Sequence, residues 1–137
     1  MLRIVVDSNV LVSAVISTGG PPAEVLDRWR NADFDLVVSA ALLAEVEKVL
    51  LRPKFRAWVA EADAHAYVRA LALESVVVDD PPAVAGITLD PADDYLVALA
   101  REARADVIVS GDAHLTKLEI DPPVLTPREF LQRLDAE

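Results

Sequence analysis

Asp7 closes the strand-like run Leu2-Arg3-Ile4-Val5-Val6, and Asp112 follows Asp106-Val107-Ile108-Val109-Ser110-Gly111, so each carboxylate stands at the polar exit of an apolar segment. A carboxylate in that position is partly desolvated and needs a cation, a hydrogen-bond donor or a proton. Glu45 lies within the apolar stripe of AALLAEVEKVL, between Leu42 and Val46, where a charge is costly unless paired or bound to metal. Asp93 and Asp94, in DPADD, fall in the first turn of a helix. Each acid also has a purely structural use. Asp7 can cap the helix that follows it, Glu45 can reach water from the edge of its stripe, and Asp93 and Asp94 oppose a helix dipole.

Taken jointly, carboxylates from two strand ends and two helices suit a hard, oxygen-preferring cation such as Mg²⁺ or Mn²⁺. Softer ligands are scarce: the chain has no cysteine, and His65 and His114 are its histidines. One or two such ions activate water and stabilise the charge on a leaving oxygen, so no protein nucleophile is required. Ser8, Ser39 and Ser110 have no histidine near them in sequence to activate them. His65, in AEADAHAY, reads as part of a surface helix; His114, two residues after Asp112, could face substrate or metal.

The elements that must position these acids alternate. The β-branched runs at 2–6, 36–38, 75–78 and 106–110 predict strands, with a last extended piece at Val124-Leu125. Helices are expected from Pro21-Pro22 through AEVLDRWRNAD, from an N-cap at Ser39 to Arg52-Pro53, as a pair over Phe55 to Leu73, from Asp90 to Arg104, briefly after Asp112, and from Pro127 to Leu134. Residues 79–90, with Pro81 and Pro82, read as a loop. The alternation implies right-handed crossovers and a three-layer α/β/α fold around a central, mostly parallel sheet of four to five strands. The 137 residues suit a single domain spanning 1–137. Ligands in such sheets bind at the carboxyl ends of strands, which is where Asp7 and Asp112 fall.

The charge balance argues the other way. Thirteen Lys and Arg against 23 Asp and Glu give −10, unfavourable for a polyanionic partner unless several acids converge on a cation. Arg52, Lys54 and Arg56 cluster in LRPKFR, and Arg28 and Arg30 flank Trp29; these are candidates for a basic, RNA-binding rim, although LRPKFR also reads as a helix end with favourable cations. Trp58 and Tyr95 are candidate stacking platforms, with core packing the expected role for Trp58. Mean hydropathy is +0.31 and 53% of residues are hydrophobic, but the longest nearly apolar stretch, 9–16, is far short of the roughly 18 residues that cross a bilayer. No secretory leader opens the chain, so a soluble, cytoplasmic protein without membrane association is expected.

The segments IVVDSNVLVSAV, VVSAALLAEVEKVLLRPKF, DPADDYLVALA and ADVIVSGDAHL, in that order over nearly the whole length, resemble the PIN-domain family of metal-dependent ribonucleases, particularly its small toxin–antitoxin (VapC-like) members. The resemblance implies that Asp7, Glu45, Asp93 and Asp112 fill the family's acidic, metal-binding and catalytic positions, with Ser8, Asn9 and Ser110 as polar support. It selects Asp93 over Asp94, leaving Asp94 to support the ligands or to stand in as an alternative. His114 departs from it: many relatives carry an acid there, which puts a second metal in doubt. It further implies single-stranded RNA as substrate, Mg²⁺ or Mn²⁺ as cofactor, a homodimer, and an antitoxin whose basic residue pairs with the acids. Two other readings are weighed beside it. One is a PIN-like module that binds RNA or protein without cleaving. The other, a receiver-type Mg²⁺-binding phospho-acceptor domain, lacks a well-placed lysine; Asn9 likewise disfavours an Asp-x-Asp phosphatase.

Overall fold

The computed structural model describes residues 1–82 and 86–137. Five parallel strands form its centre: β1 (Arg3–Val6), β2 (Asp35–Val38), β3 (Val76–Val77), β4 (Val107–Val109) and β5 (Val124–Leu125), in the order β3-β2-β1-β4-β5. Ile4 faces Leu36 on one side and Val107 on the other, Val37 faces Val76, and Ile108 faces Val124. β1, β2 and β4 are covered on both faces, so their β-branched side chains need no polar alternation; Ile4, Val5, Val37, Val107 and Ile108 are fully buried.

Seven helices among the described residues flank the sheet: α1 (Ser8–Ile16), α2 (Pro21–Arg30), α3 (Ala40–Leu50), α4 (Glu61–Glu74), α5 (Pro91–Glu102), α6 (Ala113–Thr116) and α7 (Pro127–Ala136). This is the expected three-layer parallel α/β fold. None of these helices is long and apolar enough to cross a membrane.

Several expectations are corrected in detail. The stretch after Asp7 is not only a polar turn: α1 starts there at once, with Val10, Leu11, Val12 and Ala14 buried. The helical pair over Phe55 to Leu73 is one helix, α4; Pro53–Phe55 forms a single 3-10 turn and irregular chain leads from it to Glu61. Trp58 lies in that irregular chain and is 64% exposed, so it packs no core. Of the loop expected over 79–90, residues 83–85 lie outside the described residues.

Parallel topology brings four helix N-termini to one edge. α1, α3, α6 and α7 each follow a strand, and each is capped by a side chain: Asp7 accepts from Asn9 N, Ser39 from Leu42 N, Asp112 from His114 N and Thr126 from Glu129 N. α5 joins them with Asp90, which accepts from Ala92 N. The carboxyl edge of the sheet is thus built from acidic or hydroxyl caps, because satisfying orphan N–H groups is what the strand-to-helix turn demands.

Candidate metal centre

Three of these caps, Asp7, Asp90 and Asp112, line a cleft of about 360 Å³ at that edge. Asp7, Glu45, Asp93 and Asp112 all contribute to its wall, together with Ser8 and Asn9. Asp7 is the best held of the four acids. One carboxylate oxygen accepts from Asn9 N at 3.3 Å and from the Ser8 hydroxyl at 3.4 Å, and the other accepts from the Ser110 hydroxyl at 2.9 Å. The capping use of Asp7 is therefore real and leaves it on the cleft wall. Ser110 does not line the cleft; it is fully buried beneath it, donating to Asp7 while accepting from Asp112 N at 3.1 Å.

Asp93 sits half-buried on the first turn of α5. Desolvation, followed by the charges of Asp112, Asp90, Asp7 and Asp94, raises its pKa above the ordinary carboxylate value. Two of those neighbours, Asp7 and Asp112, come from distant parts of the chain, so the acids act on one another electrostatically. Among the described residues, however, no three His, Asp or Glu side chains are already drawn into one coordination shell. The cleft gathers the acids around a common space.

Glu45 is placed on the cleft for a different reason from the one its sequence suggested. It is exposed, not poised at the core boundary; Leu42, Val46, Val49 and Leu50 carry the buried face of α3. Asp94 turns away altogether. Its side chain is buried and accepts from Thr88 N at 2.6 Å, and although burial opposes its ionisation, bonds from Thr88, Gly86 and Ile87 hold its pKa below the ordinary value. It anchors the backbone leading into α5. His114 borders an adjoining cavity that shares Asp90, Asp93 and Asp112 with the cleft.

The expected basic rim is not found among the described residues lining the cleft: none is Lys or Arg. Arg52, Lys54 and Arg56 follow the C-terminus of α3, and eleven helical residues carry the chain about 16 Å away from the edge where α3 starts. There Lys54 lies 5.0 Å over the Phe55 ring and Arg56 donates to the Leu50 carbonyl. Arg28 is bound by Asp33 at 2.5 Å and Asp135 at 2.8 Å, and Arg30 lies 3.9 Å from Asp27. His65 is exposed on α4, as expected.

Three groups do more than their sequence suggests: Asp90 and Tyr95, which line the cleft, and Asp80, which binds Tyr95. Ser39, already capping α3, sits 2.5 Å from the Tyr95 hydroxyl, which donates to Asp80; Asp80 also accepts from Ala41 N at 3.3 Å. This relay ties α3, the carrier of Glu45, to α5, the carrier of Asp93. Burial, then the bond to Asp80, pushes Tyr95 up to about 12, while the Tyr95 hydroxyl, foremost among its bonds, holds Asp80 below the ordinary carboxylate value. A depressed folded pKa gives stability above the unfolded pKa that is lost as pH falls through the folded one. Tyr95→Phe should therefore lower stability by about 1 kcal/mol near neutral pH, with the deficit shrinking in acid, as measured by urea denaturation at both pH values. Equal deficits at both would show that the Asp80 charge is not involved.

Asp90 could have been suspected as an acid opening the same helix as Asp93. Nothing local to Asp80, fifteen residues before Tyr95, signals their contact.

A family model described as PIN domain matches residues 3–114, a span that includes all four acids. Uncharacterized protein MJ1680 of Methanocaldococcus jannaschii is 25% identical over 144 residues, covering 98% of this chain and 92% of that protein. Among solved structures, PAE2754 from Pyrobaculum aerophilum superimposes with a TM-score of 0.65 at 17% identity, over 100% of this chain and 91% of that one. VapBC2 from Rickettsia felis, solved bound to a DNA fragment from its promoter, gives 0.61 at 13% identity, over 90% and 97% of the respective chains. At such identities these structures speak for the fold.

Proposed function

We propose, from the premise that this chain belongs to the PIN-domain family, that it is an endoribonuclease that cuts single-stranded RNA with the help of Mg²⁺ or Mn²⁺. The observation that carries the reading is the single cleft at the carboxyl edge of the sheet lined by Asp7, Glu45, Asp93 and Asp112. The donor set fits the cation: the side-chain donors of these four are carboxylate oxygens, and Asp93, whose pKa is raised first by desolvation and then by the charges of Asp112, Asp90, Asp7 and Asp94, is a group whose charge a dication would stabilise.

Asp7, Glu45, Asp93 and Asp112 would hold the ion, which when bound supplies an activated water and neutralises charge on the leaving oxygen. The chain's own residues do the positioning. Ser110 fixes the rotamer of Asp7 and the backbone of Asp112 with one hydroxyl, Asp94 pins the approach to α5, and the Tyr95 relay holds α3 against α5. An RNA phosphate meets no lysine or arginine among the described lining residues, so substrate entry depends on the cation as well. The same charge supports a toxin restrained by a cognate antitoxin, whose basic side chain would match the acidic wall, and assembly as a homodimer belongs to this reading.

The test is cleavage of unstructured RNA by metal-stripped protein. Activity restored by Mg²⁺ or Mn²⁺ and abolished by EDTA is the expected result. RNA binding without cleavage under any divalent ion would favour the non-catalytic module instead, and EDTA-resistant cleavage would place the chemistry elsewhere.

A further inference from the structure

Beside the acidic cleft lies a second cavity of about 290 Å³, and the two share Asp90, Asp93 and Asp112 as a common wall. Beyond that wall the second cavity is bordered by Leu89, His114 and Leu118. Its character differs from that of the cleft. Two leucines and an imidazole offer apolar and flat surface, and Leu89 is fully exposed, an arrangement that costs hydration until something covers it. None of its described lining residues is Lys or Arg, so a phosphate entering it would face carboxylates with no compensating charge.

We propose that this cavity is a subsite for one unpaired nucleobase next to the scissile phosphate. The assignment rests on the nuclease reading of the adjoining cleft. A base is neutral and flat, it offers a π-face to His114 and to the leucines, and its N–H edge can donate to the carboxylate of Asp90. The volume is near the lower end of ligand pockets, which run from about 300 Å³ upward, and suits a single base better than a longer segment. The shared wall orders the strand: the phosphate stays with the four acids while its neighbouring base lies on the other side of Asp90, Asp93 and Asp112. The imidazole of His114 supplies a stacking surface that a carboxylate would not.

The experiment mixes the full chain and Mg²⁺ with short single-stranded RNAs, each carrying one 2-aminopurine at a successive position, and reads emission and cleavage in the same samples. An emission change confined to one position, beside the cut, is expected. Affinity for that RNA should fall roughly 5- to 100-fold in His114→Ala and in Leu89→Ser. Neither variant threatens folding, because His114 is exposed and donates to the Asp112 cap through its backbone N–H, and Leu89 is fully exposed. Cleavage with no position-specific change, or a change that both variants leave intact, overturns the subsite and spares the nuclease reading. A position-specific change lost in both variants, without cleavage by the wild type, upholds the subsite and sinks the nuclease reading. Neither change nor cleavage overturns both.

Discussion

Asp93→Asn is expected to abolish metal-dependent RNA cleavage, by roughly 10²- to 10⁴-fold, while raising the melting temperature of the metal-free protein. The two effects have one cause. Asp93 is desolvated and lies in the field of Asp112, Asp90, Asp7 and Asp94, so its charged form is unfavourable in the folded chain. For an acid whose folded pKa is raised, stability is fully present below the unfolded pKa and is lost as pH rises through the folded value. At neutral pH the metal-free protein therefore carries the whole penalty. Asparagine keeps the shape, removes the charge and relieves it, but it also removes an anionic ligand. Thermal melts with EDTA and with Mn²⁺, at about pH 4 and pH 7.5, separate these effects. The variant should melt higher than wild type in EDTA at the upper pH, with the gap closing at the lower one, and should gain less from Mn²⁺. Wild-type cleavage by the variant would remove Asp93 from the catalytic set; a lower melting temperature in EDTA would show that its charge is not repelled.

The same acid shows what a sequence can and cannot reveal. The strands were legible because burial on both faces leaves unbroken β-branched runs: Val107-Ile108-Val109 has no other economical reading. Asp7 and Asp112 were legible because parallel topology sends every such strand to the same edge. Glu45 was picked out for a burial that it does not have. Helical spacing placed it near the apolar stripe, but whether a stripe's border faces core or cleft depends on how α3 and α5 are set apart, which is a tertiary property. Asp94 illustrates the same limit. Adjacent to Asp93 and identical in type, it points one residue further round the helix and into the backbone of Thr88. The cluster in LRPKFR misled because local charge carries no information about which end of the sheet it occupies, and only the length and direction of α3 decide that. Trp58 misled because helices are expected from Phe55 onward, whereas the chain there forms the end of a 3-10 turn and an irregular approach to α4.

Ser110→Ala is the second change with a large expected effect, and it separates positioning from ligation. The Ser110 hydroxyl is fully buried, contributes no surface to the cleft, and still touches two of the four acids: it donates to Asp7 at 2.9 Å and accepts from Asp112 N at 3.1 Å. Its own backbone N–H is committed to Leu125 in the sheet, so the residue cannot shift to compensate. Alanine removes the donor from a half-buried carboxylate and leaves the Asp112 N–H without that acceptor, at a cost of about 1–3 kcal/mol in stability. The freed carboxylate can rotate toward solvent or toward Asn9. Loss of such outer hydrogen bonds typically weakens metal binding 10- to 100-fold. Mn²⁺ titration by calorimetry should show that weakening, and saturating Mn²⁺ should restore most of the cleavage rate, because all four carboxylates remain. Asp93→Asn, which removes a ligand, should not be rescued in this way. If Ser110→Ala binds Mn²⁺ as tightly as wild type while staying folded, the hydroxyl serves only the strand-to-helix turn, and Asp7 finds its place by capping α1 alone.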